Sequence, residues 1–403
     1  MSLQNLVSGR DRRNVLVLAC CQALFMSVQA MSIATMPLAG HMLLGADKSL
    51  ATLPIFLAHA SIMVTTVPAS MLMKRFSRRA GFSVGALFGI LSGIIIAAGI
   101  YSHSFVLLCI GAVFQGFAAG FAWYYRFAAT DSVDVSFRAK AISFVMAGGI
   151  VAGFLGTETA KWANDFFMPA TFAGVYIMAS IFWIGVLALA QGLAIPALSK
   201  TERAEKGRPL SQIARQPAFI VALCSSMFGY GVMTLLMTAT PLAMLACGFG
   251  FNDSATVIQA HVVAMFLPAF FTGSLINRFG VMPIIVTGAL IQAVSAIVNI
   301  AGINFLNFYA ALALLGIGWN FTYVGGSTLL TSIYQPSERA KVQAAHDFAV
   351  FAMTALAAAA AGILQQNAGW TVINISALPL MAIVITAAGS LFFRQRRQAL
   401  AAS

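Results

Sequence analysis

The sequence predicts an all-α integral membrane protein: twelve transmembrane helices in two six-helix halves related by pseudo-twofold symmetry. Three observations predict it. Of 403 residues, 60% are hydrophobic and 8% charged, more apolar surface than a water-soluble core can use. The apolar residues fall in long runs, and a hydrocarbon layer about 30 Å thick is crossed by roughly 20 residues of helix. The chain also repeats itself weakly at 201–203 residues, half its length.

The runs between charged or Gly/Pro/Asn breaks lie near 13–38, 50–73, 81–101, 105–130, 140–162 and 170–194 in the first half. The second half has them near 218–246, 254–276, 282–302, 307–332, 343–366 and 370–393. "SMLMKRFSRR" (70–79) after the second run parallels "GSLINRFGVM" (273–282) after the eighth, and "SFRAKA" (136–141) parallels "SERAKV" (337–342). These repeats divide the chain into a first half at 1–194, a polar linker at 195–217 and a second half at 218–403.

The net charge of +12 suggests a nucleic-acid partner, but its distribution excludes one. With the N-terminus cytoplasmic, all of the 23 Lys and Arg residues except Lys48, Lys161 and Arg126 fall on cytoplasmic segments. That is the positive-inside pattern, and it predicts that both termini are cytoplasmic. A long first run follows the basic start directly, so no cleavable signal peptide is expected. The five cysteines lie in or at the edges of the runs and form no disulfide framework. Cys224 and Cys247 would stand about 34 Å apart along one helix, too far to bridge.

Two motifs carry chemistry. "MTLLM" (Met233, Met237) lies in the seventh run and "HVVAM" (His261, Met265) in the eighth. Nineteen methionines supply about one Met-x-x-x-Met pair by chance, so the first motif alone means little. Five histidines supply only about a quarter of one His-x-x-x-Met pair. The chain has two, the second being His59 and Met63 in "HASIM", 202 positions earlier. Residues at i and i+4 share one helix face. Met233, Met237, Met244 and Cys247 fall on a stripe roughly 80° wide. Thioether sulfur and neutral imidazole are uncharged ligands, and sulfur selects soft ions, Cu(I) above all. Taken alone, these residues leave two readings open: soft-metal coordination, or ordinary packing, for which methionine is well suited.

Other polar groups sit inside the runs. Arg126, with Asp131 and Asp134 following, is a buried charge that should face a cavity or a partner. It is a candidate for coupling or gating, or for a fixed ion pair. Gln115 shares nearly the same face. Glu158 could approach His261 as a protonation-sensing gate, or pair with Lys161 one turn on. Cys21 and Cys224, 203 positions apart, are candidates for passing copper to cytoplasmic thiols, or simply small buried residues. Trp319, Asn320, Tyr323, Gln22, Gln29 and Tyr230 would together make a cavity suited to an aromatic organic solute. A membrane oxidoreductase is excluded for want of a CxxC, a haem pattern or a dinucleotide loop, and no enzymatic activity is expected.

Twelve runs as six plus six with a basic central linker resemble the major facilitator superfamily. The superfamily's loop motif, Gly-x-x-x-Asp-Arg-x-Gly-Arg-Arg, survives in part as Gly273, Arg278 and Gly280, with Asn277 in place of the acid. The first half keeps Arg75, Arg78 and Arg79 but has Ser70, Lys74 and Ser77 at the glycine, acid and second glycine positions. "GGIVAGFLG" (148–156) approaches an antiporter pattern but carries Phe154 where proline belongs, which points away from drug/proton antiport. The resemblance implies that spans 1, 4, 7 and 10 line a central cavity and spans 2, 5, 8 and 11 form the seam. The Met/His pairs on spans 7 and 8 are similar to those of the CcoA-type copper importers of bacteria. That resemblance implies Met233, Met237, His261 and Met265 as the copper-binding set; the repeat-related His59 and Met63, the stripe residues Met244 and Cys247, and Cys224 are secondary candidates from the residue pattern alone. The resemblance further implies copper as cargo with no resident cofactor, import through the inner membrane by a monomer, and delivery to cytoplasmic chaperones or thiols for assembly of a heme–copper oxidase. Relatives in the same branch carry riboflavin, so the Met/His pairs decide between the two solutes.

Overall fold

The computed structural model describes residues 9–131, 133, 138–195, 208–335 and 338–402. Among them every regular element is a helix. The first half comprises α1 (Gly9–Leu43), α2 (Leu53–Arg75), α3 (Arg78–Tyr101), α4 (Phe105–Ala122), α5 (Tyr125–Asp131), α6 (Arg138–Ala163) and α7 (Ala173–Gln191). A short α8 (Leu210–Ala214) leads into α9 (Pro217–Ala246), α10 (Phe251–Phe266), α11 (Ala269–Phe279), α12 (Val281–Ala301), α13 (Phe305–Thr331), α14 (Arg339–Asn367) and α15 (Gly369–Ala402). Most of the linker, 196–207, and Asp134 lie outside the described residues.

Ten of these helices (α4 and α5 counting together) are long and apolar enough to cross a membrane, and α10 with α11 makes an eleventh span bent by 43°. The 26-residue α6 completes the expected twelve. Three of the helices, α3, α4 and α13, start where a side chain supplies a missing backbone acceptor. Ser77 accepts from the Ala80 N–H, Ser104 from Leu107 and Asn304 from Asn307. Successive spans cross in alternating directions, so with twelve of them α1 begins and α15 ends on the same side. We call that side the terminal end and the other the far end.

Within the first half, α1 packs on α6 and α7, and α3 packs on α4 and α7; within the second, α9 packs on α13, α14 and α15. The halves meet chiefly through α2 against α14 and α6 against α10, the seam the superfamily resemblance implies. The glycines of "GGIVAGFLG" serve this packing. A Cβ at Gly156 would fall 2.5 Å from the Ser27 carbonyl oxygen on α1, and one at Gly149 would overlap the Phe266 ring of α10. Small residues let helix backbones approach this closely.

At the far end the halves are joined directly. The Gly362 N–H donates to Thr52 Oγ1 at 3.0 Å, Gln259 donates to Glu158 at 3.1 Å, and the rings of Phe172 and Phe251 lie 5.0 Å apart. At the terminal end both ends of the linker are held. Arg13 donates to the Gly192 carbonyl and Asn14 to that of Ala194. Arg208 forms a bidentate ion pair with the buried Glu338, which also accepts from the Gln335 and Arg208 N–H groups. Lys341 donates to the Arg208 carbonyl.

Candidate functional site

A central cavity lies between the halves and is in part continuous with solvent. Its wall comes from α1 (Met26, Gln29, Ile33), α2 (His59), the α4–α5 junction (Trp123, Arg126), α6 (Met146), α9 (Tyr230, Met233, Thr234, Met237, Thr238), α10 (Met265, Phe266) and α13 (Trp319, Tyr323). Counting 1.5 Å per residue from the far-end termini of the helices places these groups in tiers. His59 and Met237 sit roughly 9 and 14 Å down, Met233 and Met265 roughly 20 Å down, and Tyr323 and Arg126 roughly 27 and 31 Å down. Imidazole and the Met233, Met237 and Met265 thioethers therefore occupy the far-end and middle parts, while Met26 and Met146, roughly 25 Å down, share the terminal-end part with aromatic rings and a guanidinium.

The lower tier is tightly interlocked. Trp319 stacks on Tyr323 with centroids 5.1 Å apart, and Tyr230 meets both edge-on. Arg126 lies over the Phe127 ring at 4.7 Å and over Trp123 at 5.8 Å, and it hydrogen-bonds Tyr323 across the halves. The described acid whose charge acts on it from the opposite half is Asp347. The Asp131 side chain lies outside the described residues, as does Asp134, so a local ion pair on α5 is not part of the described site.

Three of the four residues of the resemblance's copper set, Met233, Met237 and Met265, reach the cavity wall. His261 does not. It is fully buried, and its Nδ1 hydrogen-bonds the Leu312 carbonyl of α13 at 2.7 Å. Facing a carbonyl, Nδ1 must carry the proton, so Nε2 holds a lone pair, and it has no partner. Gly316 permits this approach: a Cβ there would fall 2.6 Å from the His261 carbonyl oxygen and 2.9 Å from the Met265 nitrogen. Asn320 turns away from the cavity. It donates to the Met265 carbonyl, which the break before Pro268 leaves free, and accepts from Thr272, both at 2.7 Å. Asn320 thus fixes the bend below Met265, a role that no spacing in the sequence announces.

The secondary candidates separate. His59 lines the cavity, with Nδ1 bonded to Ile55 of its own helix at 2.9 Å, while Met63 is half-buried and off the wall. Met244 is buried but not on the wall, and Cys247 is exposed at the end of α9, so the four-residue stripe contributes only Met233 and Met237. Cys21 is buried and Cys224 half-buried, neither on the wall. Glu158 is exposed and paired with Lys161 at 2.8 Å, with Gln259 as its α10 contact in place of His261. Gln115 bonds Gln29 and Ser32 on α1 and does not reach Arg126. Gln22 is buried away from the cavity. Among the described residues no group of three or more His, Cys, Asp or Glu side chains gathers to hold a metal ion. A metal in this cavity would rest chiefly on thioethers, with His59 as the imidazole on the wall.

The sequence matches the Major Facilitator Superfamily over residues 16–268 and 230–402. The chain belongs to this superfamily. It is also 39% identical, over 376 residues, to the riboflavin transporter RfnT of Brucella anthropi, covering 93% of this chain and 94% of that one. Two Bacillus subtilis relatives are the uncharacterized MFS-type transporters YddS and YdeG. YddS is 30% identical over 332 residues, 77% of this chain and 76% of its own. YdeG is 25% identical over 414 residues, 96% of each. The chain is therefore a multi-pass membrane transporter of the superfamily.

Proposed function

We propose that this transporter imports copper through the bacterial inner membrane by alternating access, with both termini in the cytoplasm and the far end facing the periplasm. The observation that carries the reading is the convergence of Met233, Met237 and Met265, from two helices, on one cavity wall. Uncharged thioethers bind Cu(I) yet release it more readily than a thiolate cage would. His261 holds the tautomer of a metal ligand, Nδ1 bound to a backbone carbonyl and Nε2 a bare lone pair, but behind the wall in this conformation. Copper delivered inward would serve assembly of a heme–copper oxidase, as the CcoA-type resemblance implies.

A second reading is transport of an organic solute such as riboflavin, and the relatives back it more directly than they back copper. The RfnT likeness spans nearly the whole chain. The cavity's Trp319–Tyr323 stack and Arg126 offer ring faces and a hydrogen-bond donor. Uptake of radiolabelled copper and of riboflavin, measured side by side in cells lacking the endogenous gene, separates the two. Copper accumulation that falls in a Met233→Ala/Met237→Ala variant at unchanged protein level supports the first. Copper accumulation that survives it, with riboflavin uptake that requires Arg126, establishes the second.

A further inference from the structure

We propose that His59 supplies the imidazole of the copper site in this conformation, so that the bound ion is held by both halves of the transporter. The inference rests on the copper reading above and concerns a ligand that the C-terminal Met/His pairs do not include.

Met233, Met237 and Met265 all belong to the second half, on α9 and α10. A site made only of these would travel with that half; the first half's own wall thioethers, Met26 and Met146, lie roughly 25 Å from the far end, well below Met237. His59, on α2, is the imidazole on the cavity wall, and α2 belongs to the first half. Its Nδ1 hydrogen-bonds the Ile55 carbonyl at 2.9 Å. A carbonyl can only accept, so Nδ1 carries the proton and Nε2 presents a lone pair. That is the tautomer a metal ligand requires, fixed by a backbone carbonyl. His261 has the same tautomer but is packed behind the wall against α13.

Depth favours the pairing. His59 lies six residues below Leu53, the start of α2, and Met237 nine residues above Ala246, the end of α9. At 1.5 Å per residue these are roughly 9 and 14 Å from the far end, so they form the uppermost pair of soft ligands on the wall. Directly above them, Thr52 at the start of α2 receives the Gly362 N–H of α14. An ion arriving from the far end would meet His59 and Met237 first, one ligand from each half, and then Met233 and Met265 one to two turns lower. Bridging the halves just below their junction would favour the conformation in which that junction is closed, because a ligand stabilises the state in which it makes more contacts.

The test uses the full-length protein in detergent, with Cu(I) affinity measured by competition against a chromogenic chelator and the bound ion examined by X-ray absorption. His59→Ala is expected to weaken Cu(I) binding roughly tenfold or more, no less than loss of a supporting partner costs, and to reduce the imidazole scattering signal. His59→Met should restore affinity without restoring that signal, which also shows that loss in the alanine variant is not misfolding. Wild-type affinity and an undiminished imidazole signal in His59→Ala, with binding lost in Met237→Ala, would overturn this proposal and leave the copper reading standing. Binding that is absent in the wild type, or unchanged in Met233→Ala, Met237→Ala and Met265→Ala alike, would overturn the copper reading itself.

Discussion

The two His-x-x-x-Met pairs stand at repeat-related positions yet face opposite ways. On α2 the histidine reaches the cavity and the methionine does not; on α10 the methionine reaches it and the histidine does not. Each pair spans about 40° of helix face, so a small difference in rotation is enough to exchange the member that faces inward. The causes of that difference are visible. On α10, Gly316 of α13 lets the neighbouring backbone press against His261 and Met265, and the helix breaks at Pro268 with Asn320 holding the freed carbonyl. On α2 the close approach comes from Gly116 of α4, against Ala58 and Ser61, and the helix runs through Pro68 unbroken. Equivalent sequence in the two halves thus yields a sulfur ligand from one and an imidazole from the other.

The largest expected effect tests the sulfur side. Met233→Ala/Met237→Ala should lower copper accumulation at least tenfold, about 1.4 kcal/mol or more of binding, measured by isotope uptake at matched protein level. Next comes the comparison itself: Met265→Ala should reduce uptake several-fold more than Met63→Ala, which should stay within about twofold of wild type because Met63 is off the wall. Equal losses from the two would mean that the pairs act alike and that the rotation described here has no consequence.

The packing that rotates α10 is open to a stability measurement. Gly316→Leu should destabilise the protein by about 1–3 kcal/mol through overpacking, seen as a lower melting temperature in detergent. Asn320→Ala should cost about 1–3 kcal/mol, since it leaves the buried Met265 carbonyl without its partner, while the Thr272 hydroxyl keeps the Pro268 carbonyl. The smallest effect is expected at the terminal end, where Arg208 and two backbone N–H groups hold the Glu338 carboxyl down at about 2. A depressed carboxyl contributes stability above its unfolded value of 4.5 and loses it as pH falls through about 2. Glu338→Gln should therefore flatten acid-induced melting between those values.

Much of the architecture was legible in the residues. Apolar runs of spanning length and the half-length repeat predicted the twelve-helix arrangement, because a bilayer core about 30 Å thick admits little else. Met233 and Met237 were legible as a cavity pair because α9 is a lining helix, and any i, i+4 pair shares a face. The placement of Met244 and Cys247 on the same stripe was misleading. That stripe extends past the cavity toward the far end, where Met244 is covered and Cys247 emerges at the helix terminus. The gating pair between Glu158 and His261 did not form, because Glu158 lies on the exposed side of α6 with Lys161 one turn away.

By itself, the sequence determined that the chain crosses the membrane, roughly where it crosses, and which residue types are available to a soft ion. Only the tertiary structure decided which of them face the cavity. In a soluble helix the contrast between apolar and polar faces reveals the inward side. A membrane helix is apolar toward lipid and toward its neighbours alike, so its sequence carries little record of its rotation. That rotation is set by glycines, broken turns and buried amides on other helices, and it is what brings Met265 and His59 to the wall while leaving His261 and Met63 behind.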